Sequence, residues 1–409
     1  MAEKYKIAII APTAFYYHVP LYRRLANSSK IDLTVLYCSE ESITGKDVKN
    51  AYGVPARFSD ENLLEGYPYR FIKNYSPTPS IARWPFGLIN IGVWKEIKNG
   101  QYDAIVLQAW TFLTQYISFL SCLIFKTPVF FMTDANILSE PIRLANPFKK
   151  AIKKVVLRFL FKKASGFLTA GKTNEQLYLH YGASSKKIVP MHFSWGYEHF
   201  IEEFNRLKPQ REQIRSLFGV EKDDFVLLFV GRLISDKKIF DLLEAYNKAN
   251  NNRKRLFFVG EGPLLAQVKK YIENLDIKGV YFAGFQTRKN LSKFYTLADA
   301  LVLPSCWEPW GMVINEAMCF GLPIIASDKV GAVPDLVFNN KNGFIFPEGD
   351  INCLSRCIEK LFNMPAEERL SFGKESRKII EEWINKIDPE KQIIDLIKRQ
   401  KAGEKYEED

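Results

Sequence analysis

The stretch Trp307 to Asp328, WEPWGMVINEAMCFGLPIIASD, places Glu308 and Glu316 on either side of a short segment that contains Gly311. Around them stand Trp307, Trp310, Met312, Val313, Ile314 and Phe320, all residues that prefer burial. A carboxylate tolerates such surroundings only when it is hydrogen-bonded. Each carboxylate can accept two hydroxyl protons from a vicinal diol, so a sugar nucleotide supplies the partners that are missing. Pro309 and Gly311 suit a loop entering a helix, whose first N–H groups, on Gly311, Met312 and Val313, have no acceptor of their own. A pair of acids at this spacing is also what an ordinary structural helix carries.

A second constellation lies upstream in FVGRLISDKKIFDLLEAY, where Gly231 is followed by Arg232 and Lys237 in one strand-to-helix loop. Two cations at the positive end of a helix make a site for a dianion such as a diphosphate. Simple solvation of basic loop residues is the competing reading. Two more glycine turns follow apolar runs: GEGPLL, with Gly260, Glu261 and Gly262, and GFQTRKN, with Phe285 and Gln286. A glycine there lets the backbone bend tightly or approach another group closely. The chain has no D-x-D, so a metal-held diphosphate is not supported, and neither a metal nor a cofactor is expected.

The elements that must position these residues are visible as short Ile/Val/Phe-rich runs alternating with helical patterns. In the first half the strands are KIAIIA, DLTVLYC, YRFIK, AIVLQ, PVFFMTD, GFLTAG and KIVPMHF; in the second, FVLLFVG, RLFFVG, VYFAG, ALVLP and PIIAS. Continuous apolar strands separated by helices describe a parallel sheet covered on both faces. The alternation restarts near Phe225, after the strandless connector SWGYEHFIEEFNRLKPQREQ. The expected fold is therefore α/β: two doubly wound, Rossmann-like domains facing a central cleft. Their expected bounds are residues 1–195 and 196–380, with 381–409 forming a last helix and a loose charged tail. In such sheets ligands lie beyond the carboxyl ends of the strands, which is where the glycine turns fall.

Bulk properties narrow the classes. At 409 residues the chain exceeds what one core usually serves. Its 47% hydrophobic and 14% aromatic content excludes a disordered protein. The net charge, 57 basic minus 46 acidic or +11, favours an anionic partner. No aromatic–basic module of a nucleic-acid binder is present, so no nucleic-acid partner is expected. Six scattered cysteines and four histidines point to reduced thiols in the cytoplasm rather than a structural zinc. The opening IAIIA is too short for a signal peptide, and Trp110 to Phe125, the most apolar long stretch, reads as a buried helix rather than a membrane span.

Glu308 and Glu316, followed by AMCFGLPIIASDKVGAVPDLV, resemble the signature of the retaining glycosyltransferases of family 4, the glycosyl transferases group 1 with a GT-B fold. GRLISDKK and GEGPL resemble two further segments of that family, in the same order. The likeness runs from about Phe225 to Asp350 and is far weaker before it. It implies that Glu316 holds ribose hydroxyls and that Glu308 holds hydroxyls of the transferred sugar, helped by backbone N–H groups from Trp310 to Val313. It implies that Arg232 and Lys237 neutralise the departing diphosphate. Phe285 and Gln286 would lie against the base, while Gly231, Gly260 and Gly262, with Glu261 between them, allow close backbone approach. Lys238 stands where the family often has glycine, and Asp335 where it usually has glutamate; Trp310, larger than the usual aromatic, would change pocket volume. The donor would be a nucleoside diphosphate sugar, UDP being one of the carriers left open.

In the first half, His18 in APTAFYYHVPLYRRLA is expected either to contact a substrate or to cap the next helix. Asp134, ending PVFFMTD, is expected either to orient the acceptor hydroxyl or steady developing positive charge on the sugar, or to act as an N-cap. In a retaining transfer of this type the leaving phosphate would take the acceptor's proton. The segment NPFKKAIKKVVLRFLFKKASG sets Ile152, Val155, Val156 and Phe159 on one side of a helix and Lys150, Lys153, Lys154 and Arg158 on another. That pattern fits either an apolar side packed on the sheet or contact with an anionic membrane through residues 147–163. RKIIEEWINKIDPEKQIIDLIKRQ reads as helix, break, helix, and by resemblance the last helix returns to the first domain.

The leading expectation is a metal-independent, retaining hexosyltransferase of polysaccharide or glycolipid assembly. It would act on a glycan or lipid-linked acceptor from the cytoplasm, peripheral to the inner face of the membrane. The alternatives are a nucleotide-sugar 2-epimerase-like isomerase and a non-catalytic nucleotide-sugar-binding protein.

Overall fold

The computed structural model describes residues 4–43, 62–140, 147–192, 196–250 and 253–402. The chain forms two compact units, one of Met1–Gly196 with Ile387–Asp409, the other of Tyr197–Lys386. Each is built on a parallel sheet whose strands are nearly continuous runs of buried apolar residues.

The first unit holds strands β1 (Tyr5–Ala11), β2 (Ile31–Tyr37), β3 (Tyr69–Phe71), β4 (Ala104–Leu107), β5 (Val129–Thr133), β6 (Gly166–Thr169) and β7 (Ile188–Pro190). They are ordered β3-β2-β1-β4-β5-β6-β7, all parallel. Helices α1 (Val19–Ala26), α2 (Val93–Gly100), α3 (Leu113–Phe125), α4 (Pro147–Lys163) and α5 (Lys172–His180) connect them. Successive β1 side chains point to opposite faces. Ile7, Ile9 and Ala11 join one core with Leu21, Leu25, Ile393 and Leu396, whereas Ala8 and Ile10 join another with Phe119, Leu157 and Phe161.

The second unit orders its strands β10-β9-β8-β11-β12-β13. These are β8 (Phe225–Val230), β9 (Lys254–Val259), β10 (Val280–Gly284), β11 (Ala300–Leu303), β12 (Ile324–Ser327) and β13 (Gly343–Phe346). Its helices are α6 (Glu198–Leu207), α7 (Arg211–Leu217), α8 (Ile239–Lys248), α9 (Leu265–Asn274), α10 (Arg288–Leu297), α11 (Met312–Cys319), α12 (Val333–Leu336), α13 (Ile351–Asn363) and α14 (Ala366–Asn385). The final helix, α15 (Pro389–Lys401), contributes Ile393, Ile394, Leu396 and Ile397 to the core of the first unit. Strand order reverses between β8 and β11, and ligands gather at such a reversal in open α/β sheets. The edge strand β13 was not among the expected strands: it is short, and Gly343 at its start carries no apolar side chain.

Two helices of the first unit differ from expectation. In α4 the side turned to the core is Leu157, Leu160 and Phe161, while Phe148, Ile152, Val155 and Phe159 are exposed. The run from Trp110 to Phe125, expected as a buried helix, yields α3, which buries Thr114, Gln115, Ser118 and Ser121 and exposes Leu120, Leu123 and Ile124. Among the described residues no helix is long and apolar enough to cross a membrane.

Candidate functional site

In the second unit, the loop after β8 begins at Gly231 and Arg232 and ends in a 3-10 turn, Ser235–Lys237. Lys238 follows at φ +51°, in the left-handed region, and α8 starts at the next residue. Only glycine reaches that region without steric cost, so Lys238 holds a conformation that would suit glycine better. The Lys238 ammonium instead reaches Glu348 at 3.3 Å and Asp241 at 3.9 Å.

The turn after β9 is joined to this loop backbone to backbone. Gly231 N–H donates to Val259 O at 2.9 Å, Leu233 N–H to Glu261 O at 3.0 Å, and Leu264 N–H to Leu233 O at 3.1 Å. A Cβ on Gly260 would lie 2.0 Å from the Gly231 carbonyl oxygen, and one on Gly262 would lie 2.3 Å from that of Leu233. Both glycines thus serve the junction between the two loops. The Glu261 carboxylate accepts from Phe285 N–H at 3.4 Å and so ties the turn after β10 to the same group. Phe285 is exposed, and the Gln286 amide donates to Ala283 O at 2.6 Å.

Across the strand-order reversal, the segment after β11 carries Glu308. Its backbone bridges in parallel to Val330, with Glu308 N–H donating to Lys329 O at 3.1 Å. The buried carboxylate accepts from Ser305 Oγ at 2.8 Å and forms an ion pair with Lys237 Nζ through the same Oε1. Two sequence-distant candidates, one per loop, are therefore in direct contact. Gly311, at φ +94°, turns the chain into α11, and a Cβ there would meet Val330 Cγ1 at 2.7 Å. No side chain caps this helix, so the N–H groups at its start, Gly311 through Val313, face outward along its axis.

Glu316 lies inside α11 and is buried. Burial raises the pKa of its carboxyl; the Tyr295 hydroxyl, donating to Oε2 at 2.7 Å, and the positive charge of Arg288 oppose that rise. Neither Tyr295 nor Arg288 was among the residues expected from sequence. Arg288 sits in the quoted segment GFQTRKN and was legible as a further cation, whereas nothing local marks Tyr295. The Arg288 guanidinium lies 4.7 Å from the Phe200 ring centroid, which fixes its plane. Trp310 does not occupy the role expected for its size. Its ring is buried against Trp383, with centroids 5.7 Å apart, and its indole N–H donates to Asn315 Oδ1 at 2.9 Å. The larger aromatic fills packing space inside the unit.

In the first unit, His18 and Asp134 stand beyond the carboxyl ends of β1 and β5. His18 occupies the N-cap position of α1 but makes no capping bond with its side chain. Its ring packs among Phe15, Tyr17 and Tyr22, and burial depresses its pKa to about 3, so the imidazole is neutral. With Thr133, Met132 and His192 it borders a cavity of about 10 Å³, room for about one water. Asp134 is close enough for its charge to push the Tyr17 phenol further upward, beyond the effect of burial. The next turn, Ile137–Ser139, is capped by Asn136, so Asp134 is not its cap. Among the described residues no three His, Cys, Asp or Glu side chains group as a metal site, and all six cysteines are free thiols.

Residues 210–379 match the family described as glycosyl transferases group 1. The sulfoquinovosyl transferase SQD2 of Arabidopsis thaliana is 28% identical over 234 residues, covering 56% of this chain and 43% of that protein. The lipopolysaccharide core biosynthesis glycosyltransferase LpsD of Rhizobium meliloti is 32% identical over 176 residues, covering 42% of this chain and 50% of its own length. The match thus spans half or less of either curated relative. The crystal structure of Anabaena Alr3699/HepE in complex with UDP and glucose aligns with TM-score 0.70 at 17% identity, covering 96% of this chain and 99% of that one. At that identity the likeness establishes the fold, two parallel-sheet domains of the GT-B class. The match to the glycosyl transferases group 1 model is confined to residues 210–379, less than half of the 409-residue chain.

Proposed function

We propose that the protein transfers a hexosyl group, with retention of configuration, from a nucleoside diphosphate sugar to a glycan or lipid-linked acceptor in polysaccharide or glycolipid assembly. The observation that carries this reading is the Lys237–Glu308 ion pair at the strand-order reversal, beside the open start of α11. In this reading Arg232, Lys237 and the first N–H groups of α11 offset the charge that builds on the departing diphosphate. No metal is needed for that task. Glu308, fixed by Ser305 and Lys237, accepts hydroxyl protons of the sugar. Glu316, held by Tyr295, takes the ribose diol, and the exposed ring of Phe285 offers a face for the base. The leaving phosphate itself removes the acceptor's proton, so no protein base is assigned that step. His18, neutral and hydrogen-bond competent at either nitrogen, and Asp134 are assigned to the acceptor and to charge developing on the sugar.

The crystallised HepE holds UDP and glucose, and LpsD is named for lipopolysaccharide core biosynthesis; both support the donor class and the biosynthetic setting proposed here. The same reading places the protein in the cytoplasm, peripheral to the membrane. Incubation with radiolabelled UDP-, GDP- and ADP-sugars tests it. Slow release of free sugar from one donor, accelerated by an acceptor and lost in Arg232→Ala, is the expected result. Conversion of the donor to an epimer, or tight binding of a donor with no turnover under any acceptor, overturns it.

A further inference from the structure

The loop between β3 and α2, residues 72–92, is fastened from inside and carries bare aromatic rings outside. Asn74 ties it at three points: its side-chain carbonyl accepts from Ser76 N–H at 3.0 Å and Ile89 N–H at 2.9 Å, and its amide donates to Gly87 O at 2.9 Å. The Glu41 carboxylate, in the loop after β2, accepts from Ser80 Oγ at 3.0 Å and Ile81 N–H at 2.7 Å. The first turn of α3 has N–H groups without acceptors of their own. Two of them are met by this loop, Leu113 N–H donating to Pro85 O at 2.9 Å and Thr114 N–H to Leu88 O at 3.2 Å. A Cβ on Gly87 would run into the carbonyl oxygens of Ser80 and Arg83, so the turn is tightly closed. On this fixed backbone Trp84 is 68% exposed, Phe86 62% and Tyr75 52%. Holding three large rings in water forfeits the stabilisation that burial would bring, and a mere connection gains nothing by it.

Chemistry and place select the occupant. Between Asn74 and Gly92 the one charged residue is Arg83, so no collar of cations marks this surface for an anionic bilayer. A pyranose has an apolar C–H face that lies flat on an aromatic ring, and hydroxyls at its edge that need polar partners beside that ring. Arg83, adjoining Trp84, and Thr78 are exposed on the same loop and supply such partners. The loop also stands at the ligand-binding end of the sheet, since it leaves the carboxyl end of β3 and is bonded to the helix that follows β4. Thr13 Oγ1, in the loop after β1, lies 2.6 Å from Ser42 Oγ, so the loops after β1, β2 and β3 form one connected rim. In the sheet order β3 lies two strand spacings from β1, about 10 Å, a span that about two linked pyranoses cover.

We infer that Trp84 and Phe86, with Tyr75, form a stacking platform for an oligosaccharide, so that the acceptor is a chain of sugars held at an inner unit as well as at its reacting end. Its role as acceptor rests on the proposed sugar transfer, whereas binding of the chain to this loop does not. The full protein, without nucleotide, is titrated calorimetrically with maltohexaose, cellohexaose, isomaltohexaose and chitohexaose, each against its own monosaccharide. Expected is at least tenfold tighter binding of one hexasaccharide than of its monosaccharide. Trp84→Ala loses that preference at unchanged Tm, because the ring is exposed, and Trp84→Tyr, which keeps a ring, retains part of it. Absence of any such preference overturns the inference, as does a preference that Trp84→Ala leaves intact. So does a Trp84→Ala protein that keeps the hexasaccharide but no longer floats with phosphatidylglycerol vesicles that carry the wild type, which would make the loop a lipid anchor. Titration of UDP, GDP and ADP into the same protein separates the two readings. A protein that binds a hexasaccharide and no nucleoside diphosphate supports the platform and overturns sugar transfer; one that binds a nucleoside diphosphate and prefers no hexasaccharide does the reverse.

Discussion

The ammonium of Lys237 and the carboxylate of Glu308 are in direct contact, although one closes the loop after β8 and the other the loop after β11. Both side chains are largely shielded from water, so each neutralises a charge that would otherwise be expensive to bury. In the proposed function, a diphosphate approaching Lys237 would compete with Glu308, and a sugar hydroxyl approaching Glu308 would loosen its hold on Lys237.

Breaking this pair from one side destabilises the fold as well as the site. Lys237→Met takes the ammonium away from the buried Glu308 carboxylate while the Ser305 hydroxyl stays bonded to it, and a loss of about 3 kcal/mol in unfolding free energy is expected. The double variant Lys237→Met, Glu308→Gln removes both charges and recovers much of that loss. Urea titrations of the wild type, both single variants and the double variant measure the coupling.

Glu316 makes stability depend on pH in a direction opposite to a salt-bridged acid. Its folded pKa is raised, so the folded chain holds a proton that the unfolded chain has released once the pH passes the ordinary carboxylate range. Stability contributed by this group is present at low pH and declines as pH rises from that range through the folded pKa. Glu316→Gln keeps an acceptor for Tyr295 but carries no charge. Its Tm is therefore expected to gain on the wild type between pH 4 and pH 8, while donor binding falls at least tenfold. A Tm difference that does not change with pH would refute the shift.

His18 behaves in the reverse sense. Its folded pKa of about 3 lies below the ordinary imidazole value of 6.5, so the unfolded chain takes up a proton first as the medium is acidified. Stability from this group is full above pH 6.5 and declines toward pH 3, by up to about 1.4 kcal/mol per pH unit for one proton. His18→Phe, placed among Phe15, Tyr17 and Tyr22, is expected to flatten the acid limb of the stability curve. Denaturant midpoints at half-unit intervals across that range measure it.

Much of this is legible in the sequence alone. Buried parallel strands announce themselves as unbroken apolar runs, so β1, β8 and β11 and the loops after them were readable, and with them the loop positions of Gly231, Arg232, Lys237 and Glu308 and the helical position of Glu316. What was not legible depends on tertiary neighbours. Nothing in the local sequence tells Tyr295 that Glu316 is its acceptor, or shows that the Trp310 ring turns toward Trp383. Periodicity gave the two sides of α4 but not which one meets the sheet. Leu157, Leu160 and Phe161 take that place, leaving the more conspicuous stripe outside. The glycines of GEGPL were read as room for close backbone approach; that approach is made by the Gly231 and Leu233 carbonyls of the neighbouring loop.

That last point yields a backbone prediction. Gly260→Ala forces a Cβ into the Gly231 carbonyl at a φ of +139°, and a loss of about 3 kcal/mol is expected. Lys238→Gly relieves a left-handed lysine at the price of two partly exposed ion pairs, so a stability change between zero and about +1 kcal/mol is expected. Thermal melts of both variants give the comparison, and a Gly260→Ala protein as stable as the wild type would refute the loop junction.

The most direct measurement is calorimetric titration of UDP, GDP and ADP into the wild type, Arg232→Ala and Glu316→Ala. One nucleoside diphosphate is expected to bind the wild type, with affinity at least tenfold weaker, about 1.4 kcal/mol, in each variant. Failure of all three nucleotides to bind, or equal affinity in the three proteins, would contradict a nucleotide-sugar site built from these loops.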